Sequence, residues 1–369
     1  MKLSTRRDAL FSQLQTVTRA ASTRSAVQAL SGVHVQATAD GIELRATDME
    51  IALRVPLEGD VARDGAVVLP ARQLVDVVRA LPANELTLEL RAAEQDVELT
   101  SGSATFHIRT LRLEDFPPLP DPEGDDRLDV PGPALVETVI KVARAASRDE
   151  TRPVLTGILV SAGEQELRMA ATDSYRLAVK DTALEAPLDH AFEANVPARA
   201  LQELTRIVQQ GSAERIAVSL RSNQVVFEAA GVVLSSRLID GQFPNVRQLL
   251  PEAYEHELRL AGSEIADVVR RISLLAQKNA PLRLSFSEGE LTVSARTPDV
   301  GEAQETVPVP FQGEPFEIGF NPEFLRDGLE ALEAGDLVLK LISPLRPGLI
   351  EAADGSGFQY LLMPIRLNV

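Results

Sequence analysis

Residues 67–81, VVLPARQLVDVVRAL, decide how the chain reads, because the chain restates them twice. The stretch predicts a short strand, a break at Pro70, and a helix with Leu74, Val75, Val78 and Leu81 on one face. Residues 194–208, ANVPARALQELTRIV, repeat the order with the break at Pro197 and Leu201, Leu204 and Val208 on the helix. Residues 317–332, EIGFNPEFLRDGLEAL, repeat it again with Asn321–Pro322 as the break. Proline or asparagine suits such a junction, since the first-turn N–H groups have no partner within a helix. One unit of this kind is uninformative; three at near-equal spacing make an internal repeat.

Other landmarks keep the same period. Ala20–Ala21–Ser22 returns as Ala145–Ala146–Ser147, and Ala46–Thr47–Asp48 as Ala171–Thr172–Asp173, each offset by about 125 residues. Phe116–Pro117 returns as Phe243–Pro244. Each copy opens with an amphipathic helix, the first through DALFSQLQTVTRAAS, with Thr5 and Asp8 at capping-box spacing. Alternating segments such as VHVQAT, IELRAT and IALRV follow, with Asp40–Gly41 as a hairpin turn. The expected fold is α+β: three similar domains over residues 1–125, 126–252 and 253–369, each with two helices and about eight strands, helices on one layer and sheet on another. The run at 115–126, DFPPLPDPEGDD, reads as a linker. A tandem array leaves two open ends, which a head-to-tail ring would close. Phe106 and Ile108 are the exposed-edge candidates, Ile272 and Leu274 the facing surface.

Composition removes several function classes. The 369 residues contain no cysteine, which excludes disulfides, thiolate chemistry and cysteine–zinc sites. No apolar run reaches the ~18 residues of a membrane span, and no secretory signal opens the chain. The net charge of −17 argues against a nucleic-acid partner if it is averaged over the surface. The distribution argues the other way: windows 6–24, 134–152 and 263–278 hold eleven Arg and Lys against six carboxylates, a local +5 that leaves −22 for everything else.

Catalytic signatures are missing. There is no phosphate-binding glycine loop, dinucleotide turn, nucleophile elbow or zinc-protease helix, and no cofactor is expected. His34, His107, His190 and His256 are dispersed without metal-ligand spacing and read as structural or surface residues. Asp48 and Asp173 invite a paired-carboxylate mechanism, but they occupy corresponding positions in successive domains, too far apart for it, and turn formation explains both. The chain is therefore expected not to be an enzyme. The competing classes are an enzyme using one of those acids and a protein-binding scaffold that never touches DNA.

ATDSYRLAV at 171–179, LIDGQFPNVRQLLP at 238–251 and the terminal MPIRL at 363–367, with the VPAR helix start and IGFN at 318–321, resemble the bacterial sliding clamp family, the β subunits of DNA polymerase III. The resemblance covers essentially the whole chain. It implies a clamp fold and a cytoplasmic, replisome-associated homodimer whose six domains form a ring around double-stranded DNA, gripping it without sequence preference. It implies a pocket between domains 2 and 3 for short linear motifs of DNA polymerase III subunits, the clamp loader, other polymerases and mismatch-repair proteins. By position that pocket takes in Leu155, Thr172, Ser174, Tyr175, Arg176, Leu177, Pro244, Leu249, Leu361, Met363, Pro364, Ile365 and Arg366. The DNA-facing candidates are Arg24, Arg72, Arg148, Arg152, Arg199 and Lys278. The chain departs from the family pattern at Ser174–Tyr175, where Gly-His is usual, in its Asn368–Val369 extension, and in lacking prolines after Arg24.

Overall fold

The computed structural model describes every residue except 83, 121–126, 164, 185–190, 222, 277–279, 333–334 and 368–369, so Lys278, His190, the end of the linker and the Asn368–Val369 extension lie outside the described residues. The described helices are α1 (Arg7–Val17), α2 (Ala71–Ala80), α3 (Gly132–Val142), α4 (Ala198–Gly211), α5 (Val246–Leu249), α6 (Gly262–Ile272) and α7 (Pro322–Ala331). The three restated stretches fold alike: strand Gly65–Pro70 enters α2, Phe192–Pro197 enters α4 and Phe316–Phe320 enters α7. Asn321 caps α7 by accepting the Glu323 and Phe324 N–H groups at 2.9 and 3.2 Å, with Pro322 in the first turn. Pro70 offers no side-chain acceptor, and its ring-locked φ of −56° performs the turn into α2.

Two expectations need correction. Each copy begins with a strand ahead of its first helix: Lys2–Arg6, Arg127–Pro131 and His256–Ala261. These five- or six-residue segments are rich in charge, and long-range pairing makes them strands, as in Leu3 opposite Leu88. The Thr5–Asp8 capping box does not form, because Thr5 lies in that strand and its hydroxyl donates to the Glu58 carbonyl at 2.6 Å. The first helices are also shorter than their basic windows. After α1 a 3₁₀ turn ends at Ala20, and after α3 another ends at Ala145, so Arg24, Arg148 and Arg152 occupy the loops that follow.

The chain forms two compact units, Met1–Gly132 with Arg199–Leu238, and Pro133–Ala198 with Ile239–Val369. In the first, a five-stranded antiparallel sheet orders Asp60–Arg63, Lys2–Arg6, Glu85–Arg91, Asp96–Ser101 and Ala104–Arg109. An eight-stranded sheet orders Arg127–Pro131, Arg215–Arg221, Gln224–Ala229, Val232–Arg237, Ile51–Leu57, Gly41–Thr47, Gly32–Thr38 and Gly65–Pro70. In the second unit an eight-stranded sheet orders Phe192–Pro197, Gly157–Ala162, Glu166–Thr172, Arg176–Ala183, Phe358–Leu362, Gly348–Ala352, Asp336–Leu341 and His256–Ala261. Its four-stranded sheet orders Gly301–Pro308, Glu290–Thr297, Leu282–Ser287 and Phe316–Phe320. Both large sheets join strands from different copies, through Ala52 opposite Ser235 and Leu177 opposite Leu361.

Helices cover the sheets by their apolar stripes. Leu10, Leu14 and Val17 of α1 are buried against α2 and the strands Gly41–Thr47 and Ile51–Leu57. In the second unit Ile265, Val268, Val269 and Ile272 of α6 meet α7 and the strand Glu290–Thr297. Each such side chain contributes roughly 1.5–3 kcal/mol when fully buried.

Candidate functional site

The site begins with a tight turn that the chain builds twice. Asp173 Oδ1 accepts the Tyr175 and Arg176 N–H groups at 2.9 and 3.0 Å, and the Thr172 hydroxyl donates to the Arg176 carbonyl at 2.6 Å. Asp48 Oδ1 likewise accepts the Glu50 and Ile51 N–H groups, both at 3.0 Å, while Thr47 donates to Ile51 O at 2.8 Å. Ser174 and Met49 hold the left-handed position at φ 80° and 77°. The second carboxylate oxygen is occupied as well, by Arg176 Nε for Asp173 and by Arg199 Nη1 for Asp48. Both acids make turns, and their lone pairs are committed.

In the second unit this turn leads into a strand that carries part of an apolar cluster. The paired strands bring Leu177 and Leu361 together on one sheet face with Ala170, Val179 and Leu349, and Phe243 closes the cluster. Val154, Leu159, Val246, Leu250 and Tyr254 pack around it, half-buried. At the edge Tyr175 is 61% exposed and Met363 44% exposed, joined by the Met363 N–H donating to the Tyr175 carbonyl at 2.9 Å. A flexible thioether beside an exposed aromatic ring gives such a surface adaptability.

The remaining predicted residues divide. Leu155 and Thr172 are buried, Pro244 is half-buried directly after Phe243, and Leu249 is exposed. Asn245 caps α5, which turns Val246 and Leu250, neighbours of the predicted Leu249, onto the cluster. Pro364 and Ile365 are half-buried, Arg366 is exposed, and the Ile365 N–H donates to the Gly319 carbonyl at 2.7 Å. Val246, Leu250 and Tyr254 were not singled out by sequence, because apolar residues near a proline carry no sign of which sheet they meet.

Arg176 is buried on the other face of the sheet from this cluster. It is 9% exposed and donates to Asp173 at 3.0 Å, Asp327 at 2.6 Å and the Tyr360 hydroxyl at 3.2 Å, with its guanidinium 4.2 Å from the centre of the Phe324 ring. Burial works against its charge; the Tyr360 oxygen and the two carboxylates outweigh that, holding it protonated above the ordinary arginine range.

Of the DNA-facing candidates, Arg24, Arg72 and Arg148 are exposed and, among the described residues, have no side-chain partner. Arg199 is engaged by Asp48 and by the Arg19 carbonyl at 3.0 Å. Arg152 is engaged at the second-unit turn, donating to Asp149 Oδ2 and to Ser174 Oγ, both at 3.0 Å. The serine hydroxyl that distinguishes this turn from a glycine turn thus has a partner.

Two of the terminal strands bear on the expected contact between copies. Ala104–Arg109 ends the five-stranded sheet, with Phe106 half-buried and Ile108 buried, and Gly301–Pro308 ends the four-stranded sheet. Leu274, 81% exposed on the turn after α6, offers apolar surface. Ile272 does not: it is 4% exposed in its own unit's core, because its place on the α6 stripe turns it inward.

Three family models match in succession: DNA polymerase III beta subunit, N-terminal domain (1–120), central domain (129–245) and C-terminal domain (247–366). The beta sliding clamp of Synechococcus elongatus is 34% identical over 376 residues and that of Streptomyces coelicolor 32% over 380, each alignment covering 100% of both chains. The DNA polymerase sliding clamp of Bacillus subtilis superposes with a TM-score of 0.93 at 28% identity, over 100% of both chains. The DNA polymerase III beta subunit of Pseudomonas aeruginosa does so at 0.89 and 27%, over 99% of this chain and 100% of that one.

Proposed function

The chain belongs to the DNA polymerase III beta-subunit family, the sliding clamps, and is a replicative processivity clamp; from that premise we propose how its parts perform the work. Residues 1–125, 126–252 and 253–369 are taken as its clamp domains, a reading supported by family matches at 1–120, 129–245 and 247–366. Two copies close head to tail, the edge strand Ala104–Arg109 of one meeting the third-domain surface of the other beside Leu274. Unsatisfied backbone groups on a strand edge favour such pairing. His107 and Arg109 on one edge and Glu302 on the edge strand Gly301–Pro308 add opposite charge.

The ring holds duplex DNA through topology more than contact. Arg24, Arg72 and Arg148 keep their charge free for phosphates, whereas Arg199 shares its own with Asp48. Few free cations give a weak, salt-sensitive and sequence-independent hold, which permits sliding. The acidic remainder of the surface discourages binding elsewhere. The chain supplies no catalytic group of its own and serves enzymes that dock on it.

Docking is carried by one observation: the apolar cluster around Leu177 and Leu361, with Tyr175 and Met363 exposed beside it, which we read as the floor of a peptide cleft. It suits short linear motifs with one or two large apolar side chains, supplied by replicative and other polymerases, the clamp loader and mismatch-repair proteins. The decisive experiment loads the protein onto nicked circular DNA with its loader and ATP, then runs gel filtration at raised salt before and after one cut. Retention lost on cutting is expected. Equal retention on both forms would mean ordinary electrostatic binding, and none on either, with an active loader, would favour a scaffold.

A further inference from the structure

Along the strand Arg176–Ala183 the side chains alternate between two faces of the sheet. Leu177 and Val179 enter the cleft's apolar cluster, while Arg176 lies on the opposite face with Tyr360 of the neighbouring strand. Beneath that face runs α7, which contributes Asp327 and the Phe324 carbonyl.

The contacts close a circuit. Asp327 Oδ2 accepts from Arg176 at 2.6 Å, and Arg176 Nε donates to Asp173, the residue whose other oxygen holds the Tyr175 and Arg176 backbone N–H groups. The Tyr175 carbonyl accepts from Met363, at the end of the strand that carries Tyr360. The Tyr360 hydroxyl accepts from Arg176 and donates to the Phe324 carbonyl at 3.0 Å, which returns to α7. The Tyr360 ring lies against α7 at Gly328, where a Cβ would stand 2.4 Å from Cδ1. Arginine–carboxylate hydrogen bonds are directional, and a buried guanidinium has no low-energy alternative once such a partner is removed.

We propose that Asp327 is a positioning residue for the partner-peptide cleft: through Arg176 it fixes the turn bearing Ser174 and Tyr175 relative to the strand end bearing Leu361 and Met363. Asp327 touches no peptide. It keeps the two walls at a set separation before a peptide arrives, so that binding does not have to order them. The inference rests on the cleft reading above.

The test uses the full-length protein and a short fluorescein-labelled peptide, polar except for adjacent Leu and Phe. Fluorescence anisotropy gives its affinity for the wild type, Asp327→Asn, Tyr360→Phe and Leu177→Asp, well below the melting temperature of each. Asp327→Asn is expected to weaken binding about tenfold and Tyr360→Phe about threefold. Tyr360→Phe removes one hydroxyl and keeps the ring, so it serves if the charge change impairs folding. A residue of merely structural importance would lower the melting temperature and leave the affinity of the folded protein unmoved. Binding to the wild type that Leu177→Asp abolishes, with the other two variants within about twofold of wild type, would overturn this inference alone. No binding to the wild type would overturn the cleft reading and this inference with it.

Discussion

His34 shows how one side chain can tie stability to pH. It is 7% exposed, its ring stacks on Phe116 at 5.0 Å, and its Nδ1 has no partner among the described residues. Burial, helped by Arg45 on the neighbouring strand and opposed by Glu43, lowers its pKa from 6.5 to about 4. The folded protein therefore keeps the ring neutral where the unfolded chain already binds a proton. Stability is whole above pH 6.5 and falls as the pH drops through that window toward 4, by at most about 3 kcal/mol from this group. His34→Phe keeps an aromatic stack and removes the proton site. Urea denaturation from pH 7 to 4 should show a flatter stability profile than wild type, and an unchanged slope would assign the acid sensitivity to carboxylates. Sequence placed His34 in a strand as an ordinary structural histidine; its depressed pKa depends on Phe116, far along the chain. The burial of Arg176 was equally illegible, since arginines are mostly exposed and its partner Asp327 lies 151 residues away.

At the scale of elements, the best-read features were those whose chemistry is local. The three strand–break–helix units, the Asp40–Gly41 hairpin and the paired Thr-Asp turns all follow from residues within a few positions of one another. The opening strands Lys2–Arg6, Arg127–Pro131 and His256–Ala261 were missed because their alternation, as in Leu128 and Val130 or Leu258 and Leu260, spans only two apolar residues and distant pairing fixes it. Helix α7 shows both kinds of control. Its start follows from Asn321–Pro322, whereas Gly328 in its middle is needed only because the Tyr360 ring presses there. Gly328→Ala gains about 1 kcal/mol of helix propensity but drives a methyl into a ring that Arg176 and the Phe324 carbonyl hold in place. Overpacking of this kind costs about 1–3 kcal/mol, so the urea midpoint should fall. A rise would show that the ring can retreat.

For the whole molecule, the surface proposed to carry assembly is one the isolated fold leaves exposed. Leu274 contributes nothing to its own unit's core at 81% exposure. Leu274→Asp should leave the melting behaviour of the monomer unchanged and weaken the homodimer. A closed ring of two copies has two such contacts, so losing roughly 2 kcal/mol of leucine burial at each corresponds to about a thousandfold in the dissociation constant. Sedimentation equilibrium would read it directly; an unaltered dimer would place the contact away from this turn.

Sequence by itself determined the threefold repeat, the helix starts, the turn chemistry and the concentration of positive charge in corresponding windows. Those properties arise from periodicity, capping and composition, which act over a few residues or simply add along a chain. Only the tertiary structure decided that the large sheets run across the copies, through Ala52–Ser235 and Leu177–Leu361. It also decided that Asp48 engages Arg199, and that Arg176 is buried against Asp327. Strand pairing and ion pairing are choices among distant partners, and burial settles them, because a buried charge or backbone group must find whichever complement the fold brings near.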